Sequence, residues 1–156
     1  MSVYYGNGAV RGVGIGYQVE TTAAVVASGS SADLFTVDGG NVWLLGLVGV
    51  VETVLVADTD LSIEFDPDDA GADVTLASTL IADSDPTGTV YALNPTAGGA
   101  LVATTDVGYN TLLATPILLT AGDVKLSSAG AGAGGGSIHW YAQWVAADAA
   151  AVLTAS

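Results

Sequence analysis

The stretch Asp60-Leu61-Ser62-Ile63-Glu64-Phe65-Asp66 carries an apolar side chain at every second position. Successive side chains of a β-strand point to opposite faces, so Leu61, Ile63 and Phe65 share one face and the polar and acidic residues share the other. The stretch therefore predicts a strand with one face in a core and an acidic face in solvent.

A second alternating stretch lies near the C-terminus, over residues 136–146. The residues expected on one of its faces are Ile138, Trp140, Ala142 and Trp144. His139, Tyr141 and Gln143 are expected on the other. The large apolar residues predict that the first of these faces packs in the core.

The rest of the chain also favours strands, because no window shows a capped amphipathic helix and Gly, Val and Thr occur throughout. The predicted strands are 10–20, 33–37, 41–57, 60–66, 72–81, 87–93, 99–104, 111–119, 122–127, 136–146 and 150–155. Turn-forming Asp, Gly, Pro and Asn residues separate them, and the long run at 41–57 is expected to bend at Gly46 or Gly49. This pattern predicts an all-β protein, a β-sandwich or jelly-roll-like single domain.

Two segments differ in composition from the patterned middle of the chain. Residues 1–32 are rich in Gly, Ser and Ala, and we interpret them as an extended N-terminal arm that gains order against a neighbour. Residues 33–156 then form the β-sandwich domain. Residues 129–136 (AGAGAGGG) predict a hairpin loop.

The composition excludes several classes of function. Against 16 Asp and Glu, the 156 residues hold one Lys, one Arg, one His and no Cys, which gives a formal net charge of −14. Such a chain is repelled by nucleic acid and by anionic membranes. Few residues could act as a general base or nucleophile, so we expect no enzyme. Because hydrophobic residues make up 51% of the chain, part of the apolar surface is expected between subunits.

No cofactor or metal site is expected from the motifs. The turn with Asp66, Asp68 and Asp69 partly resembles a calcium-binding loop, but the position that should hold the final Glu is Ala77. A solvated turn is the favoured interpretation, with these three aspartates as weak cation candidates. The N-terminus lacks signal-peptide features, and the longest apolar run, over residues 42–51, is half the length of a membrane helix. We therefore expect a soluble chain made in the cytoplasm.

The only histidine, His139, is expected at the surface or at a subunit contact, because no motif supplies a nucleophile and an orienting carboxylate. The aromatic cluster around it could stack on sugar, although such residues more often anchor a core or an interface. The residues expected to contact other subunits are Tyr4, Tyr5, Val10, Ile15, Tyr17, Tyr109, His139 and Tyr141. The loops at 94–110 and 128–137 are expected to contribute to the same contacts.

The order of the segments resembles a group of small β-rich virion proteins of tailed bacteriophages. The resemblance covers roughly residues 33–153. It rests on four stretches: 34–42 (LFTVDGGNV), 44–51 (LLGLVGVV), 116–124 (PILLTAGDV) and 136–144 (GSIHWYAQW). The chain departs from the group at 144–152 (WVAADAAAV), where the group tends to have a proline and a glycine.

The resemblance implies an accessory virion component, a capsid decoration (cement) protein that bridges neighbouring capsid subunits. Its partners would be the major capsid protein and further copies of itself, with a homotrimer as the expected assembly. It would then lie on the outer capsid surface after synthesis in the host cytoplasm. The alternative is a receptor- or glycan-binding head or fibre module of a virion. Its exposed platform for sugar stacking would come from the aromatic residues Trp43, Tyr91, Tyr109, Trp140, Tyr141 and Trp144.

Overall fold

The computed structural model describes residues 16–24, 29–69, 71–96, 98–104, 113, 115–130 and 135–156. Within these ranges the chain forms eleven strands and no helix, and the strands make two antiparallel sheets. The sheets pack through their apolar faces, so the prediction of an all-β sandwich is confirmed.

Sheet A contains six strands. They are β1 (Tyr17–Ala24), β3 (Val42–Thr53), β6 (Val90–Ala92), β7 (Val102–Thr104), β8 (Ile117–Leu119) and β10 (Ser137–Ala146). Their order is β1-β10-β3-β6-β7. β6 and β8 pair with the same edge of β3, β8 with residues 42–44 and β6 with residues 48–50.

Sheet B contains five strands. They are β2 (Ser30–Asp38), β4 (Asp60–Pro67), β5 (Val74–Ile81), β9 (Gly122–Ala129) and β11 (Val152–Ala155). Their order is β11-β2-β9-β4-β5.

The core lies between the sheets and follows the alternation of the sequence. Leu61, Ile63 and Phe65 of β4 are buried, as are the four residues of β10 that were expected to share a face. The free energy of burial, about 25 cal/mol for each Å² of apolar surface, fixes which side of each strand faces inwards.

A β-bulge lies beside Gly46, one of the two positions at which β3 was expected to bend. Gly46 pairs with Gln143 and Leu44 pairs with Trp144, so Leu45 is an extra residue without a partner in β10. A bulge of this kind bends the strand and increases its twist. The register between β4 and β5 also shifts twice, which explains why buried and exposed residues do not alternate strictly along β5.

The N-terminal region departs from the predicted arm. Residues 17–24 form β1, which pairs along its whole length with β10, and residues 30–32 belong to β2. The domain boundary placed between residues 32 and 33 therefore falls inside a strand. Pairing with β10 extends the first strand beyond its predicted end at residue 20, despite the small residues there. Residues 1–15 lie outside the described residues.

The prediction of a hairpin at residues 129–136 is wrong. A hairpin would pair β9 with β10, but β9 lies between β2 and β4 in sheet B, and β10 lies between β1 and β3 in sheet A. The glycine-rich segment therefore connects the two sheets. Gly130 has a φ of +101° and approaches the Asp58 carbonyl, so a Cβ at this position would lie 2.1 Å from that oxygen.

Candidate functional site

The outer face of sheet B is acidic. The outward residues of β2, β4 and β9 alternate with the buried ones and include six carboxylates. These residues are Asp33, Asp38, Asp60, Glu64, Asp66 and Asp123. In the described part of the chain this face has a single Lys or Arg, Lys125.

Lys125 is held among these carboxylates. Its Nζ donates to Asp66, and its backbone pairs on either side with Asp33 and Glu64. The Lys125 ammonium lowers the pKa of Asp66, mainly through this hydrogen bond, and Asp66 raises the pKa of Lys125. Another carboxylate on this face accepts a hydrogen bond from a hydroxyl: Ser127 Oγ donates to Glu64 Oε2 at 2.8 Å. The face is thus a solvated, negatively charged surface.

The outer face of sheet A has the opposite character. Its outward residues include only two carboxylates in the described strands, Glu20 and Glu52, and both lie towards the same end of the sheet. At the other end, Val145, Trp43 and Leu118 form one row across β10, β3 and β8. Trp43 is 40% exposed and Leu118 is 46% exposed. We name Trp43, Leu45 and Val145, with the adjoining Leu118, the apolar strip.

Two shallow depressions follow this face. One, of about 430 Å³, is lined by Trp43, Leu45 and Val145 together with Thr115 and Pro116. The other, of about 290 Å³, lies further along β3, and its lining residues are Gln18, Gly46, Val48, Val50, Tyr141, Ala142 and Gln143. The described residues that line the two depressions include no carboxylate, so this part of the surface suits an uncharged, apolar partner.

His139 lies at the end of the outer face of sheet A that carries the two carboxylates. Thr22 Oγ1 lies 2.8 Å from His139 Nδ1, and Glu52 Oε1 lies 3.3 Å from the same nitrogen. Glu20 Oε2 lies 3.5 Å from Nε2, beyond good hydrogen-bond geometry. The ring also packs against Tyr141, with ring centroids 4.5 Å apart. Three adjacent strands bring these side chains together, which no sequence motif indicates.

This cluster holds a hydroxyl, an imidazole and carboxylates, but its setting differs from that of an acyl-transfer site. The groups lie on the face of a sheet, and β10 is paired on both sides, so its backbone N–H groups are used in the ladders. An oxyanion needs backbone or side-chain donors that are free to converge on it. We interpret the cluster as a polar contact that ties β1, β10 and β3 together.

The weak cation candidates do not converge. Asp66 binds Lys125, while Asp68 and Asp69 are exposed in the turn after β4. The described residues contain no group of three His, Asp or Glu side chains that could hold a metal ion.

The expected interface residues fall into two sets. Tyr4, Tyr5, Val10, Ile15 and Tyr109 lie outside the described residues. Tyr17 is 47% exposed at the start of β1, where its ring packs at 5.2 Å from that of Trp144. His139 and Tyr141 are half-buried on the outer face of sheet A. The described residues of the two predicted contact loops include Leu101, which is buried in the core, and Ala129, which is exposed.

Leu118 was not among the residues expected at the surface, and Trp43 was expected there only as one of the aromatic residues considered for sugar stacking. The alternation of side chains along a strand was the available signal. Trp43 stands between the core residues Val42 and Leu44, so its side chain must point outwards. Most of the other aromatic residues considered for sugar stacking lie inside: Tyr91 and Trp140 are fully buried, and Trp144 is 8% exposed.

No protein-family model, curated protein or solved structure matches the chain. In the part of the chain that the structure describes, no helix is long and apolar enough to cross a membrane.

Proposed function

We propose that the chain is a structural virion protein, a capsid decoration (cement) protein that bridges neighbouring shell subunits. The observation that supports this most directly is the opposite character of the two outer faces. Sheet B presents carboxylates to solvent, and sheet A presents the apolar strip.

This division of charge suits a protein that coats a particle. The apolar strip docks on the major capsid protein, where it loses contact with water, and the acidic face of sheet B then points away from the shell. Coated particles repel each other through these outward charges. The part played by the chain is binding and bridging, without catalysis.

The likeness of residues 33–153 to small phage virion proteins supports the same proposal. A homotrimer on the outer capsid surface follows from that resemblance and from the preference of oligomers for closed symmetry. Nucleic acid is not a fitting partner, since the described residues offer phosphate groups only Lys125, which is already bound to Asp66.

The test compares two single substitutions of exposed residues on opposite sheets. Trp43→Glu places a charge in the apolar strip, while Val152→Glu places one on β11 of sheet B, where the side chain is 43% exposed. Each variant is mixed with shells that lack the protein, and bound protein is measured by co-sedimentation and by cryo-electron microscopy.

We expect the unmodified chain and Val152→Glu to decorate the shell and Trp43→Glu to lose binding by about tenfold or more. Absence of the unmodified chain from the shell surface would contradict the decoration function. Equal binding by all three chains would contradict the assignment of sheet A as the docking face.

The alternative, a receptor- or glycan-binding head, is favoured by one observation. Trp43 is exposed beside a depression, and a sugar ring could stack on such an indole. Quenching of tryptophan fluorescence by sugars, absent in Trp43→Ala, together with density at fibre or tail tips, would support this alternative over decoration.

A further inference from the structure

In the part of the chain that the structure describes, the two sheets are bridged at one end of the sandwich and separated by a groove at the other. Near β6 and β7, Gly98 forms a parallel bridge with Ala77 of β5 and so joins the two sheets. Near β8, a groove of about 370 Å³ separates β8 from β5. Its lining includes Phe65, Val74, Leu76, Ile117, Leu118 and Leu119. We name it the β8 groove.

The β8 groove combines an apolar floor with a strand edge. Phe65, Leu76 and Leu119 belong to the core and form its floor, while Val74 is 51% exposed at its margin. Among the described residues, β8 pairs only with residues 42–44 of β3, which leaves its other edge without a strand partner. An extended peptide can hydrogen bond to such an edge and place alternate side chains on the floor.

The rim of the groove is negatively charged, and a backbone hydrogen bond holds one point of it. Asp69 lines it, Asp68 and Asp73 flank the lining residues, and the Asp68 N–H donates to the Ala121 carbonyl at 3.0 Å. Lys125 alone cannot balance these three carboxylates and Asp66. The groove therefore favours an apolar peptide that carries positive charge.

One segment of this chain has that chemistry. Residues 1–19 contain no Asp or Glu, whereas all 16 carboxylates lie in the remainder of the chain. The segment 1–15 (MSVYYGNGAVRGVGI) carries the only arginine, Arg11, between apolar residues. It is thus the part of the sequence that the acidic rim attracts.

We propose that residues 1–15 of a second copy of this chain bind in the β8 groove as a strand added beside Ile117–Leu119. We assign the segment to a second copy because hydrophobic residues make up 51% of the chain, which favours burial of apolar surface between subunits. β1 and β8 lie on opposite edges of sheet A, so the segment would have to cross the sheet to reach the groove of its own chain.

An arm that binds the groove of the next copy makes a head-to-tail contact. Such contacts close into a ring when the rotation between copies allows it. The inference concerns contacts between copies and goes beyond the proposed attachment to a shell. The contact between copies can be absent although Trp43→Glu still weakens decoration of the shell. Equally, the contact can be present in a chain that does not decorate the shell.

Site-directed crosslinking tests the proposal, and the natural absence of cysteine makes it clean. A full-length Val10→Cys chain is mixed with a full-length Val74→Cys chain and treated with a short bismaleimide. Val152→Cys replaces Val74→Cys as the matched control, since both are exposed valines at opposite edges of sheet B. Circular dichroism checks that each variant folds.

We expect the Val10→Cys and Val74→Cys pair to give about tenfold more covalent heterodimer than the control pair, because binding raises the local concentration of the two thiols. Arg11→Glu in the first chain should reduce this yield, and Arg11→Lys should preserve it. Equal yields for the two valine positions, or no effect of Arg11→Glu, would overturn the proposal. A doubly substituted chain that crosslinks only within itself would overturn the assignment to a second copy.

Discussion

Trp140 of β10 packs its indole against Gly49, its register partner in β3. A Cβ at Gly49 would lie 2.9 Å from Trp140 Cε3 and 2.8 Å from Ile138 Cγ2. Tyr91 pairs with Gly49 on the other side, and both large rings are fully buried. The missing side chain of Gly49 thus provides the space that lets two aromatic residues occupy one row of the core.

Gly49→Ala should therefore destabilise the sandwich, although alanine normally suits a strand better than glycine. We expect a loss of about 1–3 kcal/mol in the free energy of unfolding, because the added methyl group overpacks the core. Chemical denaturation measures this value.

A double-mutant cycle provides the control. In a Trp140→Leu background the smaller side chain leaves room for the methyl group, so Gly49→Ala should cost clearly less there. An equal cost in both backgrounds would mean that the Trp140 ring is not the cause.

Residue patterns predicted the arrangement of the sheets well where one face of a strand is apolar and the other polar. The strand at 60–66 and the buried residues of β10 are examples. In both, the alternation of apolar and polar residues is enough to decide which side chains face the core. Patterns failed where pairing decides the structure. β1 extends to Ala24 because β10 lies beside it, and β9 and β10 belong to different sheets although a glycine-rich link of hairpin length joins them.

The candidate surfaces were harder to predict than the fold. The acidic outer face of sheet B could be inferred in part from Asp60, Glu64 and Asp66. The β8 groove, in contrast, brings Val74 and Leu118 together from strands that are distant in sequence and belong to different sheets. The contacts of His139 with Glu20 and Glu52 depend on the register of three strands, which a single sequence does not reveal.

The Lys125–Asp66 ion pair should make stability depend on pH in the acid range. The pKa of Asp66 is lowered from 3.8 by Lys125, so on acidification the unfolded chain takes up this proton first. The stabilising contribution is present above the unfolded value and is lost as the pH falls through the folded value.

Lys125→Met removes this contribution. We expect the free energy of unfolding of the variant to vary less with pH between about 5 and 2 than that of the unmodified chain. Added salt should also raise the stability of the variant more, because salt screens the repulsion between the carboxylates left on the face. Lys125→Arg keeps the charge and should behave like the unmodified chain. Denaturation at a series of pH values measures all three, and parallel profiles for Lys125→Met and Lys125→Arg would contradict the role of the charge.

Tyr91 should resist ionisation at alkaline pH. Burial raises its pKa well above the ordinary value of 10.0, and the hydrogen bond that its hydroxyl donates to Asp85 at 2.6 Å raises it further. Since the folded value is the higher one, the stabilising contribution is complete below pH 10 and declines as the pH rises above it.

Tyr91→Phe should cost about 1 kcal/mol at neutral pH through the lost hydrogen bond, and its stability should fall less steeply above pH 10. An ultraviolet titration of the folded chain should likewise lack the change from one of its six tyrosines until the protein unfolds. Tyr17→Phe, which removes an exposed hydroxyl, is the matched substitution and should have little effect on stability. A full six-tyrosine change in the folded state would rule out the protected hydroxyl.

The loop after β10 should depend on Asp148. The Asn41 N–H donates to Asp148 Oδ2 at 2.7 Å, and the N–H groups of Ala147 and Asp148 donate to the Asn41 carbonyl at 2.9 and 3.2 Å. A Cβ at Gly39 would also lie 2.3 Å from the Ala150 carbonyl, so the turn before β3 and the turn before β11 lie in direct contact.

Asp148→Ala removes the acceptor and should lower the free energy of unfolding by about 1 kcal/mol, with faster hydrogen exchange at the Asn41 amide. Asp148→Asn keeps an acceptor oxygen and should retain most of the stability, because the contact depends on the hydrogen bond more than on the charge. Hydrogen exchange at Asn41 that stays slow in Asp148→Ala would show that the backbone contacts alone hold the two turns together.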